Sequence, residues 1–264
     1  MNQKYFFFDI DGTLVDFNAG IDRITPKTIE ALNELKNRSH QLLVATGRSI
    51  CFIPDFVKEY DFNGFVTCNG AYVELHGKSL YKAVIHQEAI REVMTFCENT
   101  RSNYYFESRD AIYIRDASDP MHQKFIREWS MDARICIDRF DYDRIETYIG
   151  MLVCQTPEVL EQAAQCLGKY FDVQPHVHGC SCDLTLKGES KGKGIEMLCA
   201  HLNVDITNTV AFGDAHNDYE MISNVGLGIV MGNGVKELKK IGDYTTLSVR
   251  DEGIFHALKD CKFI

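Results

Sequence analysis

The chain has 264 residues, a formal charge of −10 and a hydrophobic fraction of 45%. That length suits one large domain or two smaller ones, and a charged fraction of 25% is ordinary for a globular protein. The excess of acid (38 Asp and Glu against 28 Lys and Arg) argues against a nucleic-acid partner, but not against a small anionic ligand held by a local cation.

In chain order, "KYFFFDI" is a continuous apolar run, the pattern of a strand buried on both faces. "TPKTIEALNELKNR" predicts a helix capped by Thr25, with Pro26 at its first position and Ile29, Leu32 and Leu35 on one face. "HQLLVATGR" is a second buried strand, "IPDFVKEYDF" reads as helix, and "GFVTCNGAYVEL" gives short strands around Asn69 and Gly70. Alternating strand and helix implies a parallel sheet with helices on both faces.

From about residue 83 to 185 the pattern changes. Helical segments ("QEAIREVMTFCENT", "PMHQKFIREW", "TPEVLEQAAQCLGKY") are interleaved with short strands ("SNYYFE", "AIYIRD", "GMLVCQ", "FDVQPHV"), as in a separate α+β unit. The first pattern then resumes with "KGKGIEMLCAHLNV", "NTVAFGD", "NDYEMISNV", "VGLGIVMG", "GVKELKKIG" and "EGIFHALKD". The expected organisation is an α/β core over 1–82 and 186–264, interrupted by an inserted α+β domain over 83–185.

No segment approaches the roughly 20 apolar residues of a membrane-spanning helix. Asp9 cuts short the apolar stretch at the N-terminus, so no export signal is expected. The 10 cysteines are scattered through apolar periodic stretches, which suits reduced thiols in a cytoplasmic protein.

Chemistry gathers where strands end. "FFFDIDGT" carries Asp9, Asp11 and Thr13, "LLVATGR" carries Thr46, Gly47 and Arg48, and "TVAFGDAHND" carries Asp214, Asn217 and Asp218. Ligands of an open parallel sheet bind beyond the carboxyl ends of its strands. Uncompensated acids so close together cost several kcal/mol when partly buried. Either one is protonated or a cation sits among them. Carboxylates that converge without Cys or His among the ligands suit a hard cation, Mg²⁺ above all.

Taken alone, a D-x-D at a strand end is more often turn chemistry than catalysis, and "ATGR" is a common turn. The order of all the pieces on the tips of one inferred sheet is more telling. "DIDGTLVD", "ATGR", "SKGKGIEML" and "GDAHNDYEM" resemble the four motifs of the haloacid dehalogenase-like hydrolases, in the arrangement of the Cof-type sugar-phosphate phosphatases, over essentially the whole chain.

The resemblance implies a Rossmann-like core, an α/β cap between the second and third motifs, and Mg²⁺-dependent hydrolysis of small phosphorylated metabolites, sugar phosphates above all. It implies that Asp9 is the nucleophile and Asp11 the general acid/base, whose backbone carbonyl also meets the metal. Asp214 would be the second carboxylate ligand, and Asp218 would orient metal-bound water. Thr46 and Lys191 would hold the transferring phosphoryl oxygens, with Asn217 in support, and Gly47, Arg48 and Asn69 would lie near the substrate. Two alternatives stay open: a phosphotransferase or mutase on the same fold, and a metabolite-binding protein without turnover. The resemblance leaves the oligomeric state open.

"HVHGCSCD" places His176, His178, Cys180 and Cys182 at a period of two, one face of an extended strand. Gly179 would break that strand, and four adjacent residues cannot easily wrap one tetrahedral ion, so no zinc is expected there. "GLGIVMGNG" lacks the G-x-G-x-x-G spacing of a dinucleotide site, and "GESKGKG" is not a P-loop. Trp129, Tyr104, Tyr105 and Phe106 read as core of the inserted domain.

Overall fold

The computed structural model describes residues 3–128, 131–176 and 179–264. In chain order the elements are β1 (Tyr5–Phe8), α1 (Pro26–Asn37), β2 (Gln41–Ala45), α2 (Asp55–Lys58), β3 (Gly64–Thr67), β4 (Tyr72–Leu75) and β5 (Lys78–Lys82). There follow α3 (Gln87–Thr100), β6 (Asn103–Glu107), β7 (Ile112–Ile114), α4 (Pro120–Glu128), β8 (Cys136–Ile137), β9 (Ile149–Val153), α5 (Pro157–Leu167), β10 (Phe171–Pro175) and β11 (Ser181–Leu186). The chain closes with α6 (Lys191–Leu202), β12 (Thr209–Gly213), α7 (Tyr219–Asn224), β13 (Leu227–Val230), α8 (Lys236–Lys239), β14 (Tyr244–Thr245) and α9 (Gly253–Asp260).

These elements form two compact units: Met1–Arg48, Ile53–Tyr81 and Ser190–Ile264 in one, Ser49–Phe52 and Lys82–Glu189 in the other. Ser49–Phe52 falls in the second unit, a placement that pattern alone does not suggest. Its Cys51 and Phe52 pack on the cluster of Tyr105, Ile112 and Met151, and the Ser49 N–H donates to Glu107 at 3.2 Å.

The sheet of the first unit runs β14-β13-β12-β1-β2-β3-β4-β5. It is parallel from β14 to β3 and turns antiparallel at β4, where Phe65 faces Glu74, so the fully parallel sheet expected from alternation ends at β3. Phe6, Phe7 and Phe8 are each fully buried. Phe7 packs with Leu43, Ala211 and Ile195 on one face, and Phe8 stacks on Phe212 at 5.1 Å on the other. Each ring contributes about 1.5–3 kcal/mol of burial, enough to fix this strand in the middle of the sheet.

Helix ends follow their residues. Thr25 caps α1, its hydroxyl accepting from the Thr28 N–H, with Pro26 at the first position. Ser190 caps α6 in the same way through the Lys193 N–H. "IPDFVKEYDF" yields only the four-residue α2: Val57 is its one buried residue, and Asp61 takes a positive φ of 55° that ends any helix.

The second unit has its own sheet, ordered β10-β11-β9-β6-β7-β8, with Leu152, Phe106, Cys182 and Leu184 packed beneath α3 and α5. Tyr104, Tyr105 and Phe106 are buried there, and Trp129 lies outside the described residues. Among the described residues, no helix is long and apolar enough to cross a membrane.

Candidate active site

Four neighbouring strand tips carry the polar residues singled out above. β1 lies between β12 and β2, and β3 flanks β2. The register pairs Phe8 with Phe212 and with Val44, and the Asp9 N–H donates to the Phe212 carbonyl at 3.0 Å. Asp9, Thr46, Asn69 and Asp214 therefore follow the ends of β1, β2, β3 and β12 at one edge of the sheet, a placement set by strand order and register.

The core of the site is an ionic cluster. Lys191, the first residue of α6, is fully buried, and its Nζ donates to Asp9 Oδ1 at 2.8 Å and to Asp218 Oδ1 at 2.7 Å. Asp218 Oδ2 accepts the backbone N–H groups of Asp214 (2.8 Å) and Ala215 (2.9 Å). Asp214 Oδ1 accepts from the Thr13 hydroxyl at 3.0 Å. One oxygen from each of Asp9, Asp214 and Asp218 lies within 4.8 Å of the others.

One ammonium faces three carboxylates, so the cluster is short of positive charge. Burial, outweighing Lys191, and the neighbouring acids push the Asp9 carboxyl well above its ordinary range; burial, then Asp9 and Asp218, do the same to Asp214. Burial opposes the charge on Lys191, but Asp218 and Asp9 override it and hold its pKa up.

Among the described residues, nothing donates to the second oxygen of Asp9 or of Asp214. Two unpaired carboxylate oxygens beside a charge deficit, with no His or Cys in the group, fit a hard divalent cation. Both oxygens of Asp218 are occupied, so it fits a residue that orients its neighbours rather than a direct ligand.

Glycine is required at Gly12, which has a φ of +86° and where a Cβ would lie 2.2 Å from Asp214 Oδ2. Gly12→Ala should displace the Asp214 carboxylate without removing any acid from the site. The expected result is at least a tenfold weaker metal affinity, measured by isothermal titration with Mg²⁺; wild-type affinity would show that this approach does not shape the site.

Asp11 is placed differently from the other acids. Its carboxylate is held by Arg48 in a bidentate pair, Nε to Oδ2 at 2.7 Å and Nη2 to Oδ1 at 2.8 Å, and its side chain stays 44% exposed. It is not among the acids that converge on one point. Thr46 is buried, its Oγ1 accepting the Arg48 N–H at 3.2 Å, so its own hydroxyl proton can point outward. Asn69, held at φ 50°, accepts from Asn217 Nδ2 at 3.1 Å, and a Cβ on Gly47 would come within 3.1 Å of the same Asn69 oxygen.

Thr13, at the first strand tip, ties Asp214, and Ser190, the first residue of the third motif, caps α6 and so aims Lys191. One contributor escapes a reading by motif. Asn233 bridges two loops, donating to the Gly12 carbonyl at 2.7 Å and accepting the Val249 N–H at 3.2 Å. Asn233 sits in "MGNG", a stretch weighed above only as a dinucleotide loop; an Asn between glycines at a strand end was the available signal.

In the second unit "HVHGCSCD" is a hairpin, not one strand. β10 and β11 pair across it, with the His176 N–H donating to the Ser181 carbonyl at 2.9 Å. His176 therefore shares a face with Ser181 and Asp183, its Nδ1 at 2.8 Å from Ser181 Oγ and its Nε2 at 3.0 Å from Asp183 Oδ1, whereas Cys180 and Cys182 point the other way. His178 lies outside the described residues.

Burial opposes a charge on His176, but the hydrogen bond and charge of Asp183, with Glu107 behind, raise its pKa overall. A raised value means that the pair stabilises the fold fully below about pH 6.5 and fades as pH rises through the folded-state value. In Asp183→Asn the His176 pKa should fall, read from the ring Cε1–H in an NMR titration, and the stability gap to wild type should shrink from acid to alkaline pH. An unmoved titration would refute the pairing.

A family model described as haloacid dehalogenase-like hydrolase matches residues 6–258. The candidate phosphatase YkrA of Bacillus subtilis (strain 168) is 33% identical over 98% of both chains. An HMP-PP phosphatase of Klebsiella pneumoniae (strain 342) is 27% identical over 89% of this chain and 86% of its own. A solved HAD subclass IIB sugar phosphatase superposes with a TM-score of 0.86 at 28% identity, over 99% of this chain and 100% of that one.

Proposed function

The chain belongs to the haloacid dehalogenase-like hydrolase family, and from that premise we propose that it is a Mg²⁺-dependent phosphatase of small phosphorylated metabolites, sugar phosphates foremost, acting through a phosphoaspartate on Asp9. The observation that carries this reading is the buried Asp9–Lys191–Asp218 cluster with Asp214 alongside. The sugar phosphatase and the HMP-PP phosphatase among the similar proteins support the substrate class.

Phosphoryl transfer asks a protein mainly for positioning and for positive charge around the equatorial oxygens. Asp9 and Asp214 would hold the cation, with the Asp11 carbonyl as a third protein ligand. When bound, the cation would supply the positive charge that the cluster lacks beside the phosphoryl oxygens. A carboxylate oxygen of Asp9 attacks phosphorus, the bond to the leaving oxygen breaks, and an acyl phosphate forms on Asp9. Lys191 and the Thr46 hydroxyl steady the phosphoryl oxygens. Asp11 gives its proton to the departing alkoxide, then takes one from the water that cleaves the acyl phosphate. For this Asp11 must leave the Arg48 guanidinium that holds it in the structure. We assign choice of leaving group to the second unit, inserted in the chain between the halves of the first.

The test is phosphate release from a panel of phosphate monoesters, with Mg²⁺ and with the metal chelated. Release that requires metal and is fastest with sugar phosphates is expected. No free phosphate, with phosphorylation of an added sugar hydroxyl instead, would replace hydrolysis by transfer.

A further inference from the structure

Four thiols of the second unit lie on one side of its sheet. Cys97, Cys154 and Cys182 belong to the core cluster under α3 and α5, and Cys180 packs against it half-buried. Their arrangement is unequal. The register pairs Ser181 with Val153, so the next pair outward is Cys180 and Cys154, and the Cys154 N–H donates to the Cys180 carbonyl at 2.6 Å. Directly opposed residues of an antiparallel pair project to the same face with Cα atoms about 5.5 Å apart, within the roughly 4.4–6.8 Å that a disulfide spans. Cys182 faces Leu152 and is diagonal to Cys154, at about 7–8 Å and out of that range.

Access also singles out this pair. Cys97 and Cys182 are fully buried, and Cys154 is 4% exposed, but Cys180 is open enough to meet a small oxidant. Burial raises the pKa of the Cys154 thiol, the Ser102 hydroxyl opposes that rise, and Cys180 adds to it, so the more open Cys180 is the thiol that meets the oxidant first.

We propose that Cys154 and Cys180 are a redox-active thiol pair that closes to an intramolecular disulfide on reaction with hydrogen peroxide. The Cys180 thiolate attacks one peroxide oxygen, the O–O bond breaks, and the released hydroxide takes up the thiol proton as water, leaving Cys180 as a sulfenic acid. The Cys154 sulfur then attacks the Cys180 sulfur. The S–OH bond breaks, and a second water leaves with the Cys154 proton. The two sulfurs lose two electrons in all, and the peroxide gains them. The bond closes a loop over residues 155–179, which contains α5 and β10, and restricts the unfolded chain.

The full chain is treated with stoichiometric hydrogen peroxide, alkylated in denaturant and mapped without reduction. A peptide joining Cys154 to Cys180, an intact mass lower by two hydrogens, reversal by dithiothreitol and a higher melting temperature of the oxidised form are expected. Cys154→Ser should leave Cys180 as a sulfenic acid trapped by dimedone, and Cys180→Ser should leave Cys154 alkylatable. A disulfide joining other cysteines, or Cys180 advancing to the sulfinic acid in the wild type with Cys154 still reduced, would overturn the pair. So would ten thiols remaining free.

Discussion

Replacing Asp9 by Asn is expected to lower kcat for phosphate release by on the order of 10⁴-fold or more while leaving the melting temperature of the metal-free protein unchanged or higher. The amide has the shape of the carboxylate but cannot form the acyl phosphate. Stability moves the other way because Asp9 is buried beside Asp214 and Asp218, where burial and like charges oppose its ionisation. An amide removes that repulsion, and Lys191 keeps its bond to Asp218. The check is a paired measurement, initial rates with saturating Mg²⁺ and thermal unfolding with the metal chelated. Wild-type turnover would remove Asp9 from the chemistry. A large loss of stability would mean that the Asp9–Lys191 pair outweighs the repulsion.

Lys191→Met should act in the opposite sense on stability. Lys191 is fully buried and, among the described residues, supplies the only ammonium that bridges Asp9 and Asp218. Methionine fills similar space but leaves three acids facing one another with no cation, and removing one partner of a buried ion pair costs about 3–5 kcal/mol. Asp218 keeps two backbone donors, so the strain concentrates on Asp9 and Asp214. Urea unfolding should show a markedly lower midpoint without metal, recovered in part by Mg²⁺, because a divalent cation can occupy the charge deficit. Activity should fall with the loss of the phosphoryl contact even when Mg²⁺ saturates. An unchanged midpoint would show that the cluster does not depend on Lys191 for its charge balance.

Much of the first unit could be read from residues. "YFFF" has no polar position, which only a strand covered on both faces tolerates, and Thr25-Pro26 marks a helix start in any context. Placing acids at the tips of parallel strands brings Asp9, Asp11, Asp214 and Asp218 to one point; Asp9, Asp214 and Asp218 do converge, and the Asp11 carboxylate does not. Contacts set by tertiary geometry were not legible. That Asp11 turns to Arg48, 37 residues away, depends on how β1 and β2 align, not on local pattern. At "HVHGCSCD" the period-two strand ends as Gly179 suggests, but which face each residue takes was not legible: the pairing of β10 with β11 puts His176 on one face and Cys180 and Cys182 on the other. The antiparallel β4 was hidden for a related reason: a tight turn at Cys68–Gly70 returns the chain beside β3 instead of starting a helix.

The most direct test of the central claim is to trap phosphate on Asp9. An aryl phosphate, whose leaving group departs without a proton, should phosphorylate Asp11→Asn, and the lack of a base should then slow hydrolysis of the acyl phosphate. Acid quench after one turnover should give a protein heavier by one HPO₃, and borohydride reduction followed by peptide mapping should convert residue 9 alone to homoserine. Phosphate on another side chain, or release of the aryl alcohol and phosphate with no covalent species at any time, would contradict the account.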